Sequence, residues 1–156
     1  MDILIRPYDK DTEGIEQEYL LTLQKKLFAS HTYIEKYGMP QSIEDLKNHR
    51  FIIGSPYNLP FSDINWSLRL GMSEGQFHEP VYTSNNLECL VEAAMRGVGI
   101  LGAYESMKLI KDSCLINILP HVCDKPIDIY IIYPSFLKKD SVIIEIINDL
   151  KSKFSS

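Results

Sequence analysis

Cysteine is scarce in this chain: Cys89, Cys114 and Cys123 are the only three in 156 residues. The set is odd and holds no Cys-x-x-Cys pair. That argues against a disulfide framework or a thiolate zinc site and favours a reducing, cytoplasmic compartment. Long apolar runs are also missing. A stretch such as "IYIIY", Ile129 to Tyr133, is far shorter than the roughly 20 residues of a membrane helix. Basic charge is not in excess, since 16 Lys and Arg against 21 Asp and Glu leave a net charge of -5. The total therefore does not imply a nucleic-acid surface. The opening "MDILIRPYDKD" lacks a basic start followed by a long apolar region, so no secretion signal is expected.

Catalytic signatures are absent too. The four histidines, His31, His49, His78 and His121, show no paired metal spacing. There is no Gly-x-Ser-x-Gly elbow. "GVGILG" follows a helical pattern instead of opening one, so it is not a dinucleotide fingerprint. Glu13, Glu16 and Glu18 read as a solvated face. No catalytic residue, metal site or cofactor is expected.

What is there is an ordinary globular balance, 45% hydrophobic and 24% charged. The length suits one domain or two small lobes. "DILIRP" reads as a short buried strand, and such a strand needs neighbours on both sides. "LLTLQKKLFAS" suits an extended segment. "SHTYIEKYG" reads as a brief helix closed by Gly38, with Pro40 beyond the stop. Ser42 and Asp45 in "SIEDLKNH" form a capping-box pattern. "RFIIG" is a strand, and "SPYNLPFSD" is turn-rich and reads as a loop. "NWSLRL" alternates like a strand, "GMSEGQ" is a turn, and "FHEPVYTS" is a further strand. "YESMKLIKDS" is a helix candidate. "CLINILP" and "IDIYIIYP" are strands. "SVIIEIINDLKSKF" is a helix whose inner face carries Val142, Ile143, Ile146, Ile147, Leu150 and Phe154. Alternating strands and helices imply an α/β fold with a mainly parallel sheet, with local antiparallel pairing open to the Trp66 and Val81 strands.

The stretch "SNNLECLVEAAMRGVGIL" stands out. Leu87, Leu90, Val91 and Ala94 share one face at the 3.6-residue period. Gly97 supplies a left-handed stop. Ahead of the apolar face stand Ser84, Asn85 and Asn86. The plain reading makes Asn85 the N-cap, with Glu88 three residues on. The sharper one adds a ligand, because a helix start gathers unpaired N–H groups and partial positive charge that suit an anion. The two are compatible.

The order of these motifs resembles the C-terminal effector-binding (substrate-binding) domain of LysR-type transcriptional regulators. Ala29 and Ser30 end a strand. Tyr33, Gly38 and Pro40 follow, then Asp45, Leu46 and His49 before the next strand. A single Trp66, a polar-capped helix, "AAMRGVGI", "LINILP", "IYIIYPS" and a final apolar helix complete the series. "DILIRP" resembles the strand that precedes it. The resemblance implies a two-lobed, periplasmic-binding-protein-like (type 2) α/β effector domain. Residues 31–101 would form the second lobe, and residues 1–30 and 102–156 an incomplete first lobe. Neither the family's helix-turn-helix nor the opening of its first lobe is seen in this sequence. An N-terminally truncated form is expected, with contact to DNA only through the absent helix-turn-helix. An open sheet edge would leave it prone to self-association.

The resemblance also implies a small-molecule effector held between the lobes, and the helix start favours an anion there. Ser84, Asn85 and Asn86 would face it. Ile53, Gly54 and Ser55 end a strand that often borders the cleft in the family. Leu101 and Gly102 lie where the chain returns to the first lobe. Gly102 would allow close backbone approach or serve as a plain turn glycine. Relatives often carry a proline just after this strand, whereas here the run is "ILGAYE". Arg6 could reach an anion or be a solvated strand-end residue. His49 has a structural hydrogen-bonding role in this reading. A solute-binding module of the same architecture and a non-functional remnant are the alternatives.

Overall fold

The computed structural model describes residues 3–54 and 66–154. In chain order the elements are β1 (Leu4–Pro7), β2 (Ile15–Leu23), β3 (Lys25–Ala29), α1 (His31–Tyr37), a 3-10 turn (Glu44–Asn48) and β4 (Phe51–Gly54). A second 3-10 turn (Ser67–Arg69), β5 (Tyr82–Ser84), α2 (Leu87–Met95), β6 (Ile100–Tyr104) and α3 (Lys108–Lys111) follow. The chain continues with β7 (Ile116–Cys123), β8 (Ile127–Pro134), a 3-10 turn (Ser135–Leu137) and α4 (Ser141–Phe154). They form two compact units. Unit 1 is Met1–Leu23 with Pro126–Ser156, and unit 2 is Gln24–Lys125.

Unit 2 holds a five-stranded sheet in the order β5-β4-β6-β3-β7. β4 pairs in parallel with β5 and with β6, while β3 pairs antiparallel with β6 and β7. Successive strand side chains point to opposite faces, and both faces are covered. Leu27, Ala29, Phe51, Ile53 and Ile100 pack on one side with Tyr33, Leu46, Trp66 and Leu68. Phe28, Ile52 and Leu101 pack on the other with Leu90, Val91, Ala94 and Ile110. The result is three layers, helix and turn segments on either side of a sheet.

Local signals place these layers. Ser30 caps α1 by accepting from the Tyr33 amide, and Gly38 (φ 87°) ends it. Ser42 and Asp45 make the expected reciprocal box. Ser42 Oγ accepts the Asp45 amide at 3.3 Å, and Asp45 Oδ2 accepts the Ser42 amide at 3.1 Å. The segment it opens is 3-10. Gly97 (φ 79°) closes α2, with the Gly97 amide donating to the Ala94 carbonyl and the Val98 amide to that of Ala93. A side chain at Gly97 would press on Thr32 and the Tyr33 amide.

Unit 1 is smaller. Its sheet has the order β1-β8-β2, with both pairings antiparallel. α4 packs through Ile147, with Ile143 and Leu150, against Leu20, Ile131 and Tyr133. Glu18 ties the helix to the sheet, accepting from Lys151 Nζ at 3.0 Å and Tyr133 Oη at 3.1 Å.

Several expectations are corrected. The sheets are mixed, with four of the six strand pairings antiparallel. β1 is an edge strand beside β8, and Leu4 and Ile5 are exposed. Apolar composition says nothing of pairing direction, which is why it misled. The "NWSLRL" stretch, where described, is the 3-10 turn Ser67–Arg69, and Trp66 packs into the core as a plug rather than as a strand residue. Of "FHEPVYTS" only Tyr82–Ser84 is strand, and it pairs in parallel. α3 spans four residues only. The α4 inner face is narrower than its periodicity implies, since Val142, Ile146 and Phe154 are exposed. The compact units meet at residues 23/24 and 125/126. β3 and β7 share backbone ladders within the five-stranded sheet and stay with it. The "SPYNLPFSD" loop lies outside the described residues. Among those described, no helix is long and apolar enough to cross a membrane.

Candidate functional site

The parallel pair β4 and β5 runs in register, with Ile52 opposite Tyr82, Ile53 opposite Thr83 and Gly54 opposite Ser84. Both strands therefore end side by side, and three residues after Ser84 the helix α2 begins. Four of the residues singled out in the sequence meet here: Gly54, Ser84, Asn85 and Asn86. The site is the carboxyl edge of a parallel pair joined to a helix N-terminus. Open α/β sheets take ligands outside such edges.

The cap differs from the expectation. Asn86, not Asn85, is the N-cap of α2. Its Oδ1 accepts the Glu88 amide at 2.8 Å and the Cys89 amide at 3.3 Å. One step back, Ser84 Oγ accepts the Asn86 amide at 3.1 Å. The error is one residue, and Asn-Asn in sequence offers two equivalent caps. With Asn86 as cap, Glu88 sits at the second helical position, where its charge complements the helix dipole. Three of the first four amides of the helix are satisfied internally. The Leu87 amide is the one without a side-chain acceptor among the described residues. Asn85 is exposed and engaged in an interaction of its own.

Of the other candidates, Ile53, Leu101 and Gly102 are closely packed within unit 2. Ile53 is 9% exposed and belongs to the core around Tyr33, Phe51 and Trp66. Leu101 is 1% exposed and packs with Phe28, Ile52 and Leu90. Gly102 is needed for close packing of another kind: a Cβ there would stand 3.3 Å from Ser67 Cβ and 3.6 Å from the Trp66 ring. The 3-10 turn thus covers the glycine. Ser67, 3% exposed, is a buried polar residue that the sequence did not reveal, because "NWSLRL" mimics a strand. Arg6 belongs to unit 1, where it is exposed and pairs with Asp9 at 3.5 Å. Asp9 is held below its ordinary value chiefly by the amide of Asp11, then by the Thr12 hydroxyl and amide. Ser55 lies outside the described residues.

A polar cluster in unit 2 was missed as a cluster. Tyr33 Oη lies 2.7 Å from His49 Nδ1 and accepts the Arg50 amide at 3.1 Å. Burial raises the Tyr33 hydroxyl above its ordinary value. His78 is buried, its Nε2 2.7 Å from the Leu70 carbonyl and its ring against Phe51. Among the described residues no group of His, Cys, Asp and Glu could hold a metal ion. The three cysteines are free and exposed.

The chain resembles known regulators in sequence and in fold. It is 27% identical over 101 residues to the HTH-type transcriptional regulator CrgA of Neisseria meningitidis serogroup B, covering 65% of this chain and 33% of CrgA. It is 27% identical over 110 residues to an uncharacterized HTH-type transcriptional regulator of Haemophilus influenzae, covering 69% and 37%. The chain thus matches about a third of the length of these curated relatives. The solved regulatory domain of CrgA superposes with a TM-score of 0.69 at 21% identity, over 99% of this chain and 76% of that one. The full-length structure of AphB, the Vibrio cholerae virulence activator, gives 0.69 at 18% identity, over 98% and 52%. These likenesses establish the fold, the type 2 periplasmic-binding-protein-like α/β fold of LysR regulatory domains. The family model of the LysR substrate binding domain matches residues 1–151, and the chain belongs to that family.

Proposed function

We propose that the chain is the effector-sensing part of a LysR-type transcriptional regulator, cytoplasmic and without catalysis of its own. Unit 2 serves as the second lobe and unit 1 as part of the first. The effector is a small anion or polar acid that sits at the junction of β4, β5 and α2 and, in the family's arrangement, would lie between lobes. Its binding would shift the balance of lobe arrangements. The observation that carries this reading is the meeting of Gly54, Ser84, Asn85 and Asn86 at the start of α2. A helix start favours negative charge, and Gly54 puts no side chain of its own at the strand end. Glu88 in the first turn opposes a polyanion. A singly charged acid that also donates or accepts hydrogen bonds fits best.

Calorimetry with a panel of small carboxylic acids tests the reading. Ser84→Ala should weaken binding by about 1.5–3 kcal/mol, the worth of one hydrogen bond to a charged group. The thermal midpoint serves as control, because Ser84 also holds the Asn86 amide. Unchanged affinity in both Ser84→Ala and Asn85→Ala would remove this site from consideration.

A further inference from the structure

Unit 2 contains a hydrogen-bond chain whose proton positions are fixed by valence. The Tyr33 side chain is fully buried. Its oxygen accepts the Arg50 amide, a group that can only donate. The one other partner of that hydroxyl among the described residues is His49 Nδ1, at 2.7 Å. The buried phenolic proton must therefore go to Nδ1, since a buried donor left without an acceptor is costly. Nδ1 can take it only if it carries no proton itself. His49 is then neutral, with its proton on Nε2.

We propose that the Tyr33–His49 pair is an acid-released latch, which joins α1 to the root of β4 while His49 is neutral and lets go when His49 gains a proton. Protonation puts a hydrogen on Nδ1, aimed at an oxygen that already accepts from Arg50. The hydroxyl proton then loses its only acceptor. Four residues with polar or charged groups lie around His49. Tyr33 comes from α1, Asp45 from the Glu44–Asn48 turn, Arg50 from the next position, and His78 from the segment leading to β5. Asp45 favours the cation, but its Oδ2 is committed to the Gln41 and Ser42 amides. The Arg50 guanidinium lies over the Tyr37 ring with Nε donating to the Val98 carbonyl.

Burial, the chief cause, holds the His49 imidazole below its ordinary 6.5; Asp45 works against this and His78 adds to it. The unfolded chain then binds more protons than the folded one just below 6.5. The latch contributes fully above that value and is lost as pH falls through the folded value. β4 is affected at its start, while Gly54 at its other end borders the proposed effector site. Acid would reach that site through the strand.

Nitrogen-detected NMR of the imidazoles in the full chain tests the latch. The expected result is a neutral Nε2–H tautomer for His49 at pH 7.5 that titrates below 6.5. In Tyr33→Phe the titration should rise, since no hydroxyl remains to be orphaned, yet stay below 6.5 because the ring is still buried. In His49→Gln the fall of the thermal midpoint between pH 7 and pH 5 should flatten. An Nδ1–H tautomer, a titration at or above 6.5, or an unmoved titration in Tyr33→Phe would each overturn the proposal. The tautomer in the unaltered protein decides the matter even if Tyr33→Phe does not fold.

Discussion

Ile52 and Ile53 are neighbours in β4 of unit 2, and both are buried, at 0% and 9% exposure. Leu4 and Ile5 are neighbours in β1 of unit 1, and both are exposed, at 46% and 49%. The residue types are alike, so composition does not explain the contrast. β4 has a strand on each side and a packed layer on each face. β1 is an edge strand with one neighbour in its sheet among the described residues. The helices repeat the lesson. α2 buries Leu90, Val91, Ala93 and Ala94 within nine residues, whereas the fourteen-residue α4 buries Ile147 alone. Unit 2 closes its own core, while unit 1 leaves much of its apolar surface to solvent.

The comparison can be broken most sharply by cutting one core at a time. Ile131 in unit 1 and Ile52 in unit 2 are both fully buried. Replacing either by alanine should cost about 2–5 kcal/mol. Unit 1 rests on a single small cluster, so Ile131→Ala should abolish amide protection in β1, β2, β8 and α4. The protection of β4 and β6 should survive. Ile52→Ala should instead lower protection throughout unit 2. Hydrogen exchange by mass spectrometry separates the outcomes. Equal protection of Ile5, Ile131 and Leu90 in the unaltered monomer would mean that unit 1 is as well closed as unit 2, and the comparison would fail.

Much of unit 2 was legible in the sequence because its signals are local. Gly38, the Ser42–Asp45 pair and Gly97 each act within a few residues, and each does what its spacing implies. Errors arose where the deciding partner is distant. The direction of β1 is set by β8, more than 100 residues away. Trp66 is drawn from a strand-like alternation into a plug by the space above Gly102. Val142 and Ile146 follow the helical period, but the period cannot show how wide a surface awaits the helix. The candidate site was half legible for the same reason. Ser84, Asn85 and Asn86 announce a helix start, and Gly54 joins them through the register of β4 and β5. Ile53 and Leu101 came from the family order, and both side chains pack in the core clusters of unit 2.

A smaller effect refines the description of unit 2. With Asn86 as the cap, Asn86→Ala should cost about 0.5–2 kcal/mol. Asn85→Ala should cost less, because the two amides of the first turn are held by Asn86. Urea denaturation followed in unit 2 measures both. A larger loss from Asn85→Ala would return the cap to that residue and move the donors of the proposed site by one position.

The smallest effect on stability concerns the open surface of unit 1. Val142 is 60% exposed in the first turn of α4. Nearby in sequence, Phe136 is 79% exposed. Surface substitutions away from special features change stability by less than about 0.5 kcal/mol. Val142→Glu should therefore leave unfolding almost unchanged, and its charge suits a helix N-terminus. Its effect should appear in association instead. Exposed apolar patches recruit other chains, and a carboxylate within such a patch would have to be desolvated on contact. Sedimentation velocity over a wide concentration range should show less self-association in Val142→Glu than in the unaltered chain. A variant that associates equally would place the contact away from α4 and leave the β1 edge, with Leu4 and Ile5, as the surface through which unit 1 meets another chain.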